Sequence, residues 1–501
     1  KHERQRQLLR KTCEVAAKNS SAYFIFDRDA VTLAACCRLK TAVDPKALEH
    51  PESLRFCGFQ NVTINVPQAS YRAAEAGNLN LDGIIDEVLE TMETALQAHI
   101  QKRVKTEELM QPGGPLHQIG KPSMDGNPYV DLDKATYIVG MIGVNDAVKL
   151  LTDSELHENE ESMQAGLEII AAMYQKAKEM SERTGWKISL EESPAESAAR
   201  NLALRDLRHP VYGKYAKQVI QGTEEDPYYT NSVHLRADAK DVGPIERIQK
   251  QSMFHPVIES GAIIHLFTGE ADIDPDALYD LVQNIYENTQ CAQITVSGTH
   301  SFCPGCGTQT RGEAFECPRC GTETDVMQKV VGYNSKMVNW NGSKRRESEA
   351  RGRGSYAADA SECIAKGDDL AEALIPGQPA VKAVVYGIKH HHHCDWCEDL
   401  NDAVTKLVGN NYKGKVDVEF VDVTAPGVEG RQNLARAMRA GINIPRPVDT
   451  VRPLETESLV RQNRETGHLD VKYKFLDKAG APKVRKALDA VLAEAERYLT
   501  T

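Results

Sequence analysis

At 501 residues and a formal net charge of −12, the chain is long enough for two or three domains and too acidic to hold nucleic acid through bulk charge. Its apolar content of 41% suffices for a sizeable core, yet no apolar run approaches the ~20 residues of a membrane span. Eight of the 12 cysteines fall in an adjacent pair or in Cys-x-x-Cys motifs, which fits a reducing cytoplasm better than a disulfide-linked secreted chain.

In chain order, Ala22-Tyr23-Phe24-Ile25-Phe26-Asp27 reads as a short strand, followed by Ala35-Cys36-Cys37-Arg38-Leu39. On composition alone the adjacent cysteines read as small buried apolar residues, and so does Cys57. The alternation of Val62, Ile64 and Val66 predicts a strand ended by Pro67. Asn80 is a natural N-cap for a long helix with Ile84, Ile85, Val88, Leu89, Met92, Leu96, Ile100 and Val104 on one face, broken at Gly113-Gly114-Pro115. The run from Tyr137 to Val144 predicts a strand buried on both faces. Asn145 at its end either caps the next helix or reaches a ligand. A helix around Met163–Met180 closes near Gly185. Ser193, Pro194 and Glu196 have the spacing of a capping box, and free amides at a helix start also bind phosphate. Asn231 and Ser232 sit in a turn ahead of His234. His255-Pro256 is a loop that leads into a buried strand through His265. Asp274-Pro275 opens a helix bearing Leu278, Leu281, Val282 and Ile285, and Ile294–Val296 is a strand.

Two Cys-x-x-Cys knuckles follow, Cys303/Cys306 and Cys317/Cys320, with ten residues between them. Pro304 and Pro318 stiffen the turns, and Gly307 and Gly321 follow each pair. Four thiolates with this spacing select Zn²⁺, and a site without histidine or an open position is structural. Two disulfides are the alternative, opposed by a large acidic chain with no secretory signal pattern. A bare zinc ribbon is also a common nucleic-acid binder. Gly332, twelve positions beyond Cys320, is on its residues alone an ordinary turn glycine. Its lack of a β-carbon would let an α-carbon radical spread over both flanking amides.

Residues 343–378 are polar and glycine-rich, a linker by composition. Val381–Tyr386 then predicts a strand, followed by His390–His393 and Cys394-Asp395-Trp396-Cys397. A strand leading into Cys-x-x-Cys at a helix start is the thioredoxin arrangement, with Cys394 attacking and Cys397 resolving. A second metal site using the histidines is the alternative. Val416–Val423 supplies a further strand, Pro445 or Pro447 is a candidate cis-proline, and Val484, Leu488, Val491, Leu492 and Leu499 mark a last helix.

Val331-Gly332-Tyr333 followed by Trp340-Asn341-x-x-Lys344, directly after a four-cysteine site, resembles the glycyl-radical loop of anaerobic (class III) ribonucleoside-triphosphate reductases. Pyruvate formate-lyase and its relatives share the glycyl loop but lack the zinc site. Further segments resemble the same family in matching order from about residue 22 to 342. They are Cys37-Arg38, the Val62-Thr63-Ile64-Asn65 strand, Gly143-Val144-Asn145, Glu192-Ser193-Pro194-Ala195-Glu196 and Tyr229-Thr230-Asn231-Ser232.

The resemblance implies an α/β fold: half of a ten-stranded glycyl-radical-enzyme α/β barrel with a four-cysteine zinc ribbon, plus a C-terminal thioredoxin-like α/β domain. The expected divisions are a barrel part at 1–298 with a finger loop near 35–39, zinc knuckles and radical loop at 299–342, the linker, and a glutaredoxin-like domain at 379–501. Gly332 would carry the radical, generated by a radical S-adenosylmethionine activating enzyme. Cys37, with Cys36 as runner-up, would be the thiyl, and Cys57 a second active-site thiol. Ser193, Ala195 and Ser197 would hold substrate phosphates, and Asn145, Asn231 and Ser232 would bind the nucleotide. Electrons would come from the fused Cys394/Cys397 dithiol. The family has a longer N-terminal part, so an N-terminal companion fragment and a homodimer are expected. The implied function is anaerobic reduction of ribonucleoside triphosphates to deoxyribonucleoside triphosphates. The rival readings are another glycyl-radical lyase and a zinc-ribbon nucleic-acid adaptor.

Overall fold

The computed structural model describes residues 2–27, 32–34, 39–42, 55, 57–239, 242–269, 273–330, 332–353, 381–387, 401–402, 404–406, 408–409, 416–440, 459–462 and 469–472. The chain divides into two compact units, Lys1–Ala360 and Ser361–Thr501. The first opens with α1 (His2–Asn19) and β1 (Tyr23–Ile25), then a hairpin of β2 (Thr32–Ala34) and β3 (Lys40–Ala42). The register of that hairpin pairs Thr32 with Ala42, Leu33 with Thr41 and Ala34 with Lys40.

Next come β4 (Gly58–Asn65), α2 (Val66–Glu75), α3 (Leu81–Met110), the short α4 (His117–Gly120) and β5 (Thr136–Ile142). After them run α5 (Val144–Thr152), α6 (Glu160–Thr184) and β6 (Lys187–Glu192). Strands β4, β5 and β6 pair in parallel with β5 in the middle. All seven residues of β5 are buried, as its unbroken apolar run requires. Helices α3 and α6 cover one face with Ile84, Val88, Met92, Leu167, Ile170 and Met173, each no more than 4% exposed. Burial of each such side chain contributes about 1.5–3 kcal/mol. The Asn80 side chain accepts from Gly83 N at 2.9 Å to start α3, and Gly185 at φ +71° ends α6, both as expected.

The unit continues with α7 (Glu196–Arg208), α8 (Gly213–Val219), β7 (Gln221–Gly222), β8 (Pro227–Tyr228), α9 (Pro244–Ser252), β9 (Ile264–Gly269), α10 (Pro275–Asn288) and β10 (Gln293–Gly298). Strand β10 pairs in parallel with β9 and antiparallel with β1. A second core forms where α1 and α10 pack on this sheet, around Ala16, Phe24, Ile264, Leu278, Val282 and Ile294. The two sheets are stitched end to end. Ser260 N donates to Leu190 O (2.9 Å), Glu192 N to Gly261 O (3.0 Å), and Ile263 N to the Glu192 carboxylate (2.9 Å). The resulting order is β4-β5-β6, the 260–263 segment, then β9-β10-β1.

A four-stranded sheet in the order β12-β11-β13-β14 follows, made of β11 (His300–Phe302), β12 (Gln309–Arg311), β13 (Asp325–Lys329) and β14 (Asn334–Lys336). The unit ends in α11 (Gly342–Arg353). In the second unit, β15 (Val381–Gly387) lies parallel to β16 (Val416–Asp422) and to β18 (Leu469–Lys472). Helix α12 (Gly427–Arg439) follows β16, and β17 (Leu459–Gln462) pairs antiparallel with β18.

Three local expectations are corrected. Pro67 opens a helix rather than ending a strand, because Val66 already lies in α2 and proline suits the first helical turn. Helix α7 starts at Glu196 with Ala195 as a cap that makes no side-chain bond, so Ser193 is not a capping-box residue. The head of the expected linker is helical, and α11 buries Ser343, Lys344 and Arg351. Helix α1 was not anticipated.

Asp206 on α7 ties this region to the sheet. Its buried carboxylate accepts from Asn65 Nδ2 (2.7 Å), Gln68 Nε2 (2.6 Å) and Tyr229 OH (2.9 Å). Asp206→Ala strands three donors at once and is expected to cost about 2–4 kcal/mol, read as a lower urea midpoint with an unchanged slope.

Candidate active site and metal centre

The four cysteines of the knuckles converge. All four Sγ atoms lie within 4.8 Å of one another, with Cys303–Cys320 and Cys306–Cys320 at 3.5 Å and Cys306–Cys317 at 3.6 Å. A tetrahedron with Zn–S bonds of about 2.3 Å has S···S edges of about 3.8 Å, so the set fits zinc. The two knuckles repeat one backbone pattern. Gly307 N donates to Cys303 O at 3.0 Å and Gly321 N to Cys317 O at 2.8 Å, with both glycines at φ +71°, a conformation other residues resist. Thr308 and Thr322, which the sequence reading passed over, put hydroxyls 3.1 and 3.3 Å from the sulfurs of Cys306 and Cys320. Bonding from Thr308 brings the Cys306 thiol down to about 6, and Thr322 lowers Cys320, both toward the thiolate a metal needs. Cys303 and Cys317 are buried.

Strand β13 carries the chain from this ribbon to Gly332, which is buried at φ +123°. The segment is held from both sides. The Tyr23 hydroxyl on β1 donates to the Gly332 carbonyl, and the Arg351 guanidinium on α11 donates to the Val330 carbonyl. Arg351 also pairs with Glu347 and lies 4.2 Å over the Phe267 ring. Lys329 is fully buried. Its ammonium donates to the Ser20 carbonyl and to Thr295 Oγ1 (2.8 Å) and sits 4.7 Å over the Tyr23 ring. Burial lowers its pKa to about 8. On the outer side Trp340 Nε1 and Lys344 Nζ both donate to Ser335 Oγ, at 2.8 and 2.7 Å.

Polar side chains also gather along the face of β4 and β6 around Gly140. Thr63 Oγ1 lies 2.8 Å from Ser193 Oγ and donates to Asn61 Oδ1 at 3.1 Å, while Asn61 Nδ2 donates to Glu191 at 2.8 Å. Any β-carbon on Gly140 would fall 2.1 Å from Ser193 Oγ. Beside them opens a cavity of about 600 Å³ between Thr63 and α7, walled by Arg200, Asn201, Leu204, Arg205 and Arg208. Its cationic wall suits a polyphosphate. None of these arginines stood out in the sequence, because their common face depends on how α7 lies across the sheet.

A family model described as "anaerobic ribonucleoside-triphosphate reductase" matches residues 1–353. The chain belongs to the anaerobic ribonucleoside-triphosphate reductase family. It is 25% identical over 178 residues to the anaerobic ribonucleoside-triphosphate reductase of Escherichia coli (strain K12), covering 35% of this chain and 22% of that one. The Haemophilus influenzae protein of the same name is 24% identical over 192 residues, with 35% and 26% covered. The chain therefore spans about a quarter of the length of the curated relatives it matches. Among solved structures, an anaerobic ribonucleotide reductase aligns with a TM-score of 0.49 at 17% identity, covering 69% of this chain and 50% of that one. The Thermotoga maritima enzyme with MES in the active site aligns at 0.49 and 18%, covering 67% and 52%.

Within this reductase-family chain, several of the sequence-derived positions meet. Ser232, at φ +48°, donates to the Ser193 carbonyl at 3.4 Å, and its own carbonyl accepts from Val144 N at 3.2 Å. Asn231 is its neighbour, so the ends of β5 and β6 and the 230–232 turn form one cluster. Asn145 belongs to the framework of that cluster. It is fully buried, with its amide donating to Glu155 and its carbonyl accepting from Leu156 N at 2.9 Å. Ala195 is buried and Ser197 exposed at the start of α7. Cys57 lies at the opposite end of β4, six residues of strand or about 20 Å from Thr63. There it flanks Gly58, which abuts Leu39 just before β3. Burial, aided by the Asp131 charge, raises the Cys57 thiol and keeps it protonated. Cys36, Cys37, Cys394, Cys397, Pro445 and Pro447 lie outside the described residues.

Two measurements check this picture. Cys317→Ser is expected to remove bound zinc and loosen the ribbon, seen as loss of about one metal per chain by elemental analysis. Lys329 is neutral in the folded chain above about pH 8 but charged when unfolded until its ordinary 10.5. Its contribution to stability therefore rises between pH 8 and 10.5, by up to about 3 kcal/mol. Denaturation curves should show that rise in the native chain relative to Lys329→Met, which lacks the titrating group.

Proposed function

We propose that this chain supplies the radical glycine, the thiyl loop and the zinc ribbon of an enzyme that reduces ribonucleoside triphosphates to deoxyribonucleoside triphosphates. One observation carries the reading. The carbonyl of buried Gly332 is bonded by Tyr23 on β1, the strand that precedes the β2–β3 hairpin, and Cys36-Cys37 fall in sequence between the paired residues Ala34 and Lys40. Family membership over residues 1–353 supports it.

A separate radical S-adenosylmethionine enzyme removes one hydrogen atom from the Gly332 α-carbon. Gly332 regains it from Cys37, leaving a thiyl. Cys37 takes the ribose 3′ hydrogen, and the 2′ hydroxyl leaves as water. Two electrons come from a dithiol, which becomes a disulfide, and Cys37 returns the hydrogen to carbon 3′. Net, one ribonucleotide and one dithiol become one deoxyribonucleotide, one disulfide and water. Cys394/Cys397 is the assigned dithiol, tethered at an effective concentration on the order of mM. The parallel β15–β16 pair with helical residues between 401 and 409 is the setting such a redox motif uses. Cys57, flanking the Gly58 that abuts Leu39, relays electrons to the loop rather than touching substrate. Ser193, Ala195, Ser197, Asn231 and Ser232 meet the nucleotide beside the arginine-walled cavity, and Asn145 holds their turn in place. Zn²⁺ on Cys303, Cys306, Cys317 and Cys320 is structural.

The strand order β4-β5-β6-β9-β10-β1 forms half of the α/β barrel. Among the described residues β4 pairs only with β5 and β1 only with β10. Free edges of this kind invite further strands. A companion N-terminal fragment closes the barrel, and the assembly is a homodimer in the cytoplasm. No helix among the described residues is long and apolar enough to cross a membrane.

After anaerobic activation, the native chain is expected to give a glycine-centred electron paramagnetic resonance doublet. Gly332→Ala should abolish it while zinc content stays unchanged, and a persisting doublet rejects the assignment.

A further inference from the structure

Tyr23 and Lys329 take part in none of the steps above, yet both converge on Gly332. Tyr23 is half-buried on β1, and its hydroxyl donates to the Gly332 carbonyl. Lys329 stands three residues before that glycine. Its ammonium, fully enclosed, lies 4.7 Å over the Tyr23 ring and is anchored to the Ser20 carbonyl and Thr295 Oγ1. Thr295 is also the residue that pairs with Tyr23 across β1 and β10. One strand pair therefore fixes the phenol, its cation and, through the phenol, the glycine carbonyl.

We infer that Tyr23 is the positioning residue of the radical peptide, with Lys329 poising its ring. The inference rests on the reading of Gly332 as the radical site. An α-carbon radical in a peptide is stabilised when its orbital stays aligned with the adjacent carbonyl, which then carries part of the unpaired spin. A donor to that carbonyl favours the spin-on-oxygen form and holds the peptide plane against twisting. A phenol bonded to this carbonyl is also an oxidisable group beside the radical, and an electron-rich ring would be the more easily oxidised by it. An ammonium over the ring face withdraws electron density, and more strongly where it is desolvated. It makes the phenol a poorer reductant while leaving it a better hydrogen-bond donor. The pair keeps the unpaired electron on the glycine without adding any bond-breaking step.

The test compares the full native chain with Tyr23→Phe, each activated anaerobically in H₂O and in D₂O. Phenylalanine keeps the ring under Lys329 and removes only the donor. In the native chain, electron–nuclear double resonance is expected to show an exchangeable proton coupled to the glycyl radical. Tyr23→Phe should lose that coupling and reduce radical per chain roughly two- to tenfold, the range that one lost hydrogen bond supports. Zinc content and thermal transition serve as checks on folding. A radical with the same yield and coupling in Tyr23→Phe overturns the role of Tyr23 but leaves Gly332 as the radical site. A native chain that forms no glycine radical overturns both. Should Tyr23→Phe fail to fold, the native coupling still decides: a radical without any exchangeable coupled proton overturns the inference.

Discussion

A backbone carbon that is to lose and regain a hydrogen atom must be held still without a side chain of its own. Gly332, the radical site proposed above, would meet that constraint by borrowing side chains from elsewhere. Tyr23 grips its carbonyl from β1, Arg351 grips the Val330 carbonyl from α11, and Lys329 packs beneath Tyr23. A positive φ of +123° adds a second constraint, since it is open to glycine and strained for residues with a β-carbon. Much of the first unit follows from these anchors. Strand β1 must pair with β10 to present Tyr23, and β10 must run straight into β11 so that β13 delivers Lys329 to the same place.

Local features of this arrangement were legible in the sequence, and long-range ones were not. The Asn80 and Asp274 caps, the Gly185 stop, the apolar run of β5 and the spacing of the four cysteines depend on neighbours a few residues away. Each appears where the residues placed it. Ser193 illustrates the opposite case. Its spacing to Glu196 signalled a cap, but its hydroxyl lies 2.8 Å from Thr63, 130 residues earlier, and the helix starts without it. The contact across the sheet holds the hydroxyl oxygen at Thr63, where it accepts from no amide of α7. The bond between Tyr23 and Gly332 spans 309 residues and leaves no periodic trace. Helix α1 went unread because its buried face includes the small residues Cys13, Ala16 and Ala17, which barely raise the apolar signal. The arginines of the cavity wall are invisible for a related reason, since a charged helix face ordinarily means solvent.

The cluster of Ser193, Asn231 and Ser232 shows how rigidity is distributed. Ser232 occupies a left-handed conformation that costs a serine of order 1–3 kcal/mol. The surroundings sustain it. Thr230 is bonded by backbone and side chain to the fully buried Asp146, and Asn145 locks the same turn to Glu155. Burial raises Asp146 to about 6, against the opposing bonds from Thr230 and Gln221. A buried carboxylate with an elevated pKa is tolerable here because it has three donors, and it fixes a strained turn at the mouth of the sheet.

The ribbon explains how so small a structure holds Lys329 and Gly332 in register. The packing available around the loop is slight: Val330 and Trp340 are its buried apolar residues, with Met337 against them. Such a cluster contributes a few kcal/mol, too little to define a single backbone path. An ion held by the four thiolates would supply what the core lacks, because binding free energy of a structural ion becomes folding free energy for the segment that carries its ligands. Here the four ligands lie in the loops flanking β11 and β12 and before β13, and β13 is hydrogen-bonded to both β11 and β14. Stiffness introduced at the cysteines is thus carried along one short strand to the buried ammonium and the glycine beyond it. In the proposed enzyme such an ion would take no part in the chemistry, yet it would set where the Gly332 α-carbon sits.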